Sequence, residues 1–170
     1  LKRTDIGSYA GFFVKGGYIW DGRPLKHGLK NNKITLLHKK RCHYPIINDL
    51  NETAMGEIEG HYQPISRDEK YKIGQLKTTL THYAFIEKEK WLERHKKYAQ
   101  WEAFMIKSNQ YPTDPTRARQ VMKYLFHRTP NRALIAFLHC YIIKLGFIDG
   151  RDGYEFAKTR HQYYRMVRQQ

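Results

Sequence analysis

A chain of 170 residues is one domain or a piece of a larger protein, and a 41% hydrophobic content is enough for a buried core, which excludes a disordered or fibrous chain. A net charge of +15 directs the protein toward a polyanion: nucleotide phosphates, nucleic acid or an anionic lipid surface. No run of five or six consecutive basic residues occurs, so the charge belongs to folded segments and not to a basic tail.

The chain begins at Leu1 with no charged-then-apolar leader and reads as a fragment. Tyr9–Trp20 has the aromatic and β-branched content of strands, and Gly16-Gly17 is expected to split it as a hairpin or bulge. Asp21-Gly22-Arg23-Pro24 is a turn. Leu25–Asn32 is basic and polar, Asn31-Asn32 reads as a turn, and Lys33–His38 as a short strand closed by Lys39–Arg41. Cys42 to Ile65 reads mostly as loop, with Tyr44–Ile47 a candidate strand and Glu57–Pro64 extended, because Pro64 biases Gln63 away from helix. Ser66–Tyr71 is charged and exposed, and Ile73–Tyr83 is the strand that ends the β portion.

The pattern then turns helical. Trp91, Leu92, His95, Tyr98, Ala99, Glu102 and Ile106 recur at three and four within Glu87–Lys107. Pro112–Pro115 breaks that helix and caps the next, with Asp114 or Thr113 at its start; Arg117–Phe126 is basic and amphipathic. Arg132–Leu145 is strongly apolar and is expected to end at Gly146 as C-cap. Its apolar part, interrupted by His139 and Lys144, is shorter than the roughly 20 residues a bilayer span needs. Asp149–Asp152 is a turn, and Gly153–Arg168 the last helix. The architecture expected is therefore α+β, a β-rich first half followed by a helical second half. Cys42 and Cys140 lie far apart, form no CxxC pair and read as reduced thiols.

Several residues carry candidate chemistry. On an extended Glu57–Pro64, Glu57, Glu59 and His61 share a face, since strand side chains alternate. Two carboxylates and an imidazole suit a general base with an orienting partner, a divalent metal site, or a polar loop bonded to itself. His82 ends a strand, where sites are commonly built, and reads equally as a histidine packed beneath the helix. His95 and Glu102 share a helical face with Tyr98 between them, an internal pair and not the HExxH spacing of a metal helix. Arg117, Arg119, Lys123 and Arg128 form a basic face, for phosphates or for solvent. From Arg117 to the end, 11 basic residues face 3 acidic ones, a pattern that suits a membrane interface or helices packed on a β domain with a basic outer surface.

One pattern runs through His82, Trp91 nine positions on, Arg94-His95-Lys96-Lys97-Tyr98-Ala99 and Glu102-Ala103. On these residues the chain resembles bacterial family 2 glycosyltransferases of the lipopolysaccharide-core and capsule type. Upstream, GFFVKGGYIWDGRPLKHG, and downstream, IIKLGFIDGRDGYEFA, are similar to further segments of that family. The resemblance implies the C-terminal part of an α/β GT-A fold: late strands and the base-bearing loop in residues 1–85, and a helical region in 86–170. It implies transfer of a sugar from a nucleotide sugar to a glycan or glycolipid acceptor. The divalent metal, Mn²⁺ or Mg²⁺, would be held by an acidic DXD motif that precedes Leu1.

Within the resemblance Glu59, with Glu57 second, is the catalytic base. Arg23, Lys26, His27 and His61 bind acceptor or diphosphate, and His82 completes the metal or diphosphate site. The location implied is cytoplasmic, with or without docking at the inner face of the plasma membrane, and no specific nucleic acid is expected. Two rivals share the same charge pattern: a basic nucleic-acid-binding module with no enzyme activity, and a peripheral membrane adaptor.

Overall fold

The computed structural model describes residues 6–46, 63–85, 87–111 and 113–170. The architecture is α+β, with the strands in the first half and the helices in the second. The aromatic and β-branched run Tyr9–Trp20 forms one twelve-residue strand, β1, at the centre of a four-stranded sheet. Gly16-Gly17 does not split it. The Gly16 N–H donates to Asn31 O at 2.7 Å, so the backbone continues in register through the pair.

After β1 the chain turns through Asp21 and Gly22, both at positive φ (47° and 76°), the geometry of a two-residue hairpin that Asp-Gly favours. This sets Trp20 opposite Arg23 in β2 (Arg23–Pro24). β3 (Asn32–Leu37) runs antiparallel to the first part of β1 and takes in Asn32, so the expected Asn31-Asn32 turn ends one residue early. β6 (Lys72–Phe85) pairs parallel with β1 along nearly its whole length and occupies the opposite edge. β4 (Cys42–His43) and β5 (Ile65–Ser66) form a separate antiparallel pair; residues 44–46 make no strand, contrary to the expectation for Tyr44–Ile47.

Among the described residues four α-helices follow: α1 (Lys88–Lys107), α2 (Arg117–Arg128), α3 (Arg132–Leu138) and α4 (Gly150–Gln169). Neither Thr113 nor Asp114 is the N-cap of α2. Thr116 holds that position, and Asp114 Oδ1 accepts the Thr116 N–H at 3.1 Å. The apolar helix departs from expectation at its end. α3 passes into a π-turn, His139–Ile143, and the left-handed residue is Leu145 (φ 58°), not Gly146. Gly146 is demanded by contact: a Cβ there would lie 2.8 Å from Cys140 O.

The two halves share a core. Tyr18 and Trp20 from β1 and Leu25 pack against Cys140, Phe156 and Ala157 from the helices, with the Phe156 ring 5.0 Å from Tyr18 and 5.4 Å from Trp20. Small residues Ala99 and Ala103 on α1 let Tyr163 and Val167 of α4 approach closely. A third cluster is built on Trp101 and Met105, both fully buried. Trp91, Tyr98 and Trp101 thus act as packing that fixes α1.

Candidate functional site: a cationic, aromatic cavity

A cavity of about 420 Å³ opens between the sheet and three helices. Its floor comes from β1 (Tyr18, Trp20), the start of β3 (Asn32, Lys33) and β6 (His82, Tyr83). α1 contributes Trp91, Arg94, His95, Tyr98 and Glu102, a stripe at helical spacing, and α4 contributes Phe156, Thr159, Arg160, Tyr163 and Tyr164 in the same way. Arg119 and Lys123 reach in from α2.

The charge of this wall is one-sided. Among the described residues five cations line it, Lys33, Arg94, Arg119, Lys123 and Arg160, against the carboxylate of Glu102. Burial weakens the negative side further by pushing the Glu102 pKa up, although the Tyr163 hydroxyl donates to Glu102 Oε2 at 2.6 Å. Burial also lowers Lys33 from the usual ammonium range. Arg119 and Lys123 are anchored from behind by Asp114, whose buried Oδ2 lies 3.3 Å from Arg119 Nε and 2.8 Å from Lys123 Nζ. Arg160 pairs with no carboxylate among the described residues. Its Nη2 donates to Tyr18 Oη at 3.3 Å, and its Nε is buried without a partner. Asn32 Oδ1, also on the wall, is likewise buried and unpaired among the described residues. Buried polar atoms left unpaired in a folded protein point to a missing partner such as water or ligand.

The histidines of the wall are neutral at neutral pH. His95 stacks on Trp91 with centroids 3.9 Å apart, and its Nδ1 lies 2.8 Å from Trp91 O. A carbonyl only accepts, so Nδ1 carries the proton and Nε2 is left as an acceptor. Burial, with help from Arg160 and Arg94, lowers the His95 pKa to about 4 despite the opposing carbonyl bond. His95 and Glu102 therefore line one cavity without forming the pair their spacing suggested; each has its own partner.

His82 stands in β6 opposite Tyr18, its ring edge-on to the Tyr18 ring at 5.1 Å. Burial and then the charges of Lys33, Arg94 and Arg160 lower its pKa. The described residues around His82 do not fit a divalent cation: the neighbouring charges are positive, and no group of three His, Cys, Asp or Glu able to hold a metal occurs among the described residues. Glu57, Glu59 and His61 lie outside the described residues.

Arg23 and His27 are placed elsewhere. Arg23 Nη1 meets Asp152 Oδ2 at 3.4 Å. His27 donates its backbone N–H to Asp149 Oδ2 at 2.7 Å and sets its Nδ1 3.1 Å from Asp149 Oδ1. They tie the loop after β2 to the start of α4, while Lys26 is exposed, and none of the three lines the cavity. Of the basic face proposed for α2, Arg117 and Arg128 are exposed, but Arg119 and Lys123 turn inward. Arg94 stands in the run Arg94–Ala99 that carries the family resemblance, while Lys33 and Arg160 belong to no motif in the sequence.

Comparison of the chain with protein families, with curated proteins and with solved structures finds no match.

Proposed function

We propose that this chain is the acceptor-side, C-terminal portion of a GT-A, family 2-type glycosyltransferase, and that the cationic cavity receives the diphosphate end of a nucleotide sugar as it departs. The observation that carries the reading is the cavity wall itself: among the described residues, five cations and one weakened carboxylate, interleaved with aromatic rings, at the end of the β1–β6 pair. Fixed cations aimed at the leaving diphosphate stabilise charge that grows during transfer, and arginine suits phosphate oxygens because its donors are forked. The unpaired Nε of Arg160 supplies one such donor. The aromatic faces suit a sugar or base ring. In this reading the acceptor hydroxyl, on a glycan or glycolipid, loses its proton to Glu59, with Glu57 second, as an inverting transfer requires. A divalent metal belongs, in the same reading, to an acidic motif upstream of Leu1.

The test has two parts. Titration of this chain with a nucleoside diphosphate is expected to show binding that Arg160→Gln weakens about tenfold or more. The longer protein is expected to turn over a nucleotide sugar in Mn²⁺ or Mg²⁺, with Glu59→Gln abolishing transfer. Full activity in both Glu59→Gln and Glu57→Gln overturns the base assignment, and an upstream sequence without strand–helix–strand units and a DXD motif overturns the class.

The rival nucleic-acid module has the net charge of +15 in its favour. It predicts binding that falls steeply with salt, needs no metal and leaves nucleotide sugars intact.

A further inference from the structure

We infer that α3 and the turns after it form a docking surface for an anionic phospholipid bilayer, with a headgroup cleft beside it. This inference is independent of what the cavity holds.

α3 and the π-turn after it leave large apolar side chains outside. Their inward face carries Ala136 and Cys140, both buried, with Phe137 and Tyr141 packed against the core, while Leu134, Leu138 and Ile142, at helical spacing on the opposite side, are exposed. Ile135, Ile143, Leu145, Phe147 and Ile148 extend the exposed apolar surface, with Ile143 as much as 68% exposed. A segment apolar on both faces needs a partner on each, and only the inner face of this one meets the core. No single described helix is long and apolar enough to cross a membrane; the bent pair Arg132–Ile143 and Gly146–Gln169 has the length and composition only together, at an angle of 73°. An exposed apolar strip flanked by cations suits a segment lying in the interface.

Charge selects the occupant. No acidic residue occurs between Asn131 and Ile148, and the exposed Lys144 and Arg151 flank the apolar surface. The nearest acids, Asp149 and Asp152, are engaged by His27 and Arg23. Where α3 starts, a cleft of about 490 Å³ is lined by Arg132, Arg165, Arg168 and His161 together with Leu134, and by no carboxylate among the described residues. Its cations suit a headgroup phosphate, and Leu134 joins it to the apolar face. A second copy is disfavoured as occupant, because each chain carries a net charge of +15. α2 likewise leaves large apolar side chains outside: Val121, Met122 and Leu125 are exposed, while Arg119 and Lys123 turn inward.

Co-sedimentation with vesicles tests this. The chain is expected to bind phosphatidylcholine vesicles containing about a third phosphatidylglycerol, and to bind pure phosphatidylcholine much more weakly. Ile142→Ser with Ile143→Ser, both at exposed positions, is expected to weaken vesicle binding about tenfold or more with an unchanged thermal melt. Arg165→Gln with Arg168→Gln is expected to weaken binding to the anionic vesicles about thirtyfold while sparing the weak binding to neutral ones. Nucleoside diphosphate binding should survive in both variants, which separates this test from that of the cavity. Failure of the wild-type chain to sediment, or wild-type binding by either pair, overturns the inference. So does complete release by millimolar inorganic phosphate, which would make the cleft a free-anion site. A wild-type dimer in solution that the Ile142 and Ile143 changes convert to monomer would assign the face to a second copy instead.

Discussion

His95 is the most direct probe of the cavity's electrostatics. Burial lowers its pKa from 6.5 to about 4. The folded protein therefore holds it neutral where the unfolded chain already binds a proton. A depressed folded pKa stabilises the fold above the unfolded value, and that stabilisation is lost as the pH falls from 6.5 to about 4. At about 1.4 kcal/mol per pKa unit, the full loss attached to this one ring is roughly 3 kcal/mol. Denaturant unfolding at a series of pH values between neutral and acid measures it. His95→Asn keeps a donor for Trp91 O but loses the stack on Trp91, so it should be less stable at every pH. Its stability should nevertheless fall less between pH 6.5 and 4 than that of the wild type, by about the same 3 kcal/mol. Equal pH slopes for the two proteins would refute the claim that His95 is buried and neutral, and with it the low-dielectric, cationic character assigned to the cavity wall.

Asp114→Asn should cost roughly 2–4 kcal/mol, because the buried carboxylate holds two cations that are themselves about a third exposed, while the Asn side-chain oxygen can still accept the Thr116 N–H. The same variant frees Arg119 and Lys123, so nucleoside diphosphate should bind it more tightly; a stability loss with weaker binding would mean that the two side chains must be held in place. Phe156→Ala should cost about 3–5 kcal/mol by thermal or denaturant unfolding, since the ring packs on both Tyr18 and Trp20 and carries the Arg160 guanidinium 5.1 Å from its centroid.

The elements of this protein were legible where one local rule acted alone. The weak alternation of Ile73–Tyr83, within the observed Lys72–Phe85, the helical recurrence of Trp91, His95, Tyr98 and Glu102, and the Asp-Gly turn after Trp20 each follow from short-range geometry. Misreadings arose where contact overrode propensity. Gly16-Gly17 stays in the strand because both pair with β6, opposite Leu80 and Thr81, and Gly16 N–H is held on the other edge by Asn31 O. Gly146 is required by the nearness of the Cys140 carbonyl, and the left-handed turn falls to Leu145. No propensity predicts either, because each depends on residues distant in the chain or on the path of a turn.

The sequence by itself determined the α+β order, the excess of positive charge and the aromatic character of the stretch around α1. Only the tertiary structure decided which charges face one another. Arg119, Lys123, Lys33, Arg94 and Arg160 come from four different elements, and no spacing along the chain could show that they converge on one cavity. The same holds for the outward apolar face of α3: periodicity shows that a helix is apolar, but only packing decides which side is left to meet a partner. Electrostatic and apolar recognition depend on distance in space, and folding sets that distance independently of separation along the chain.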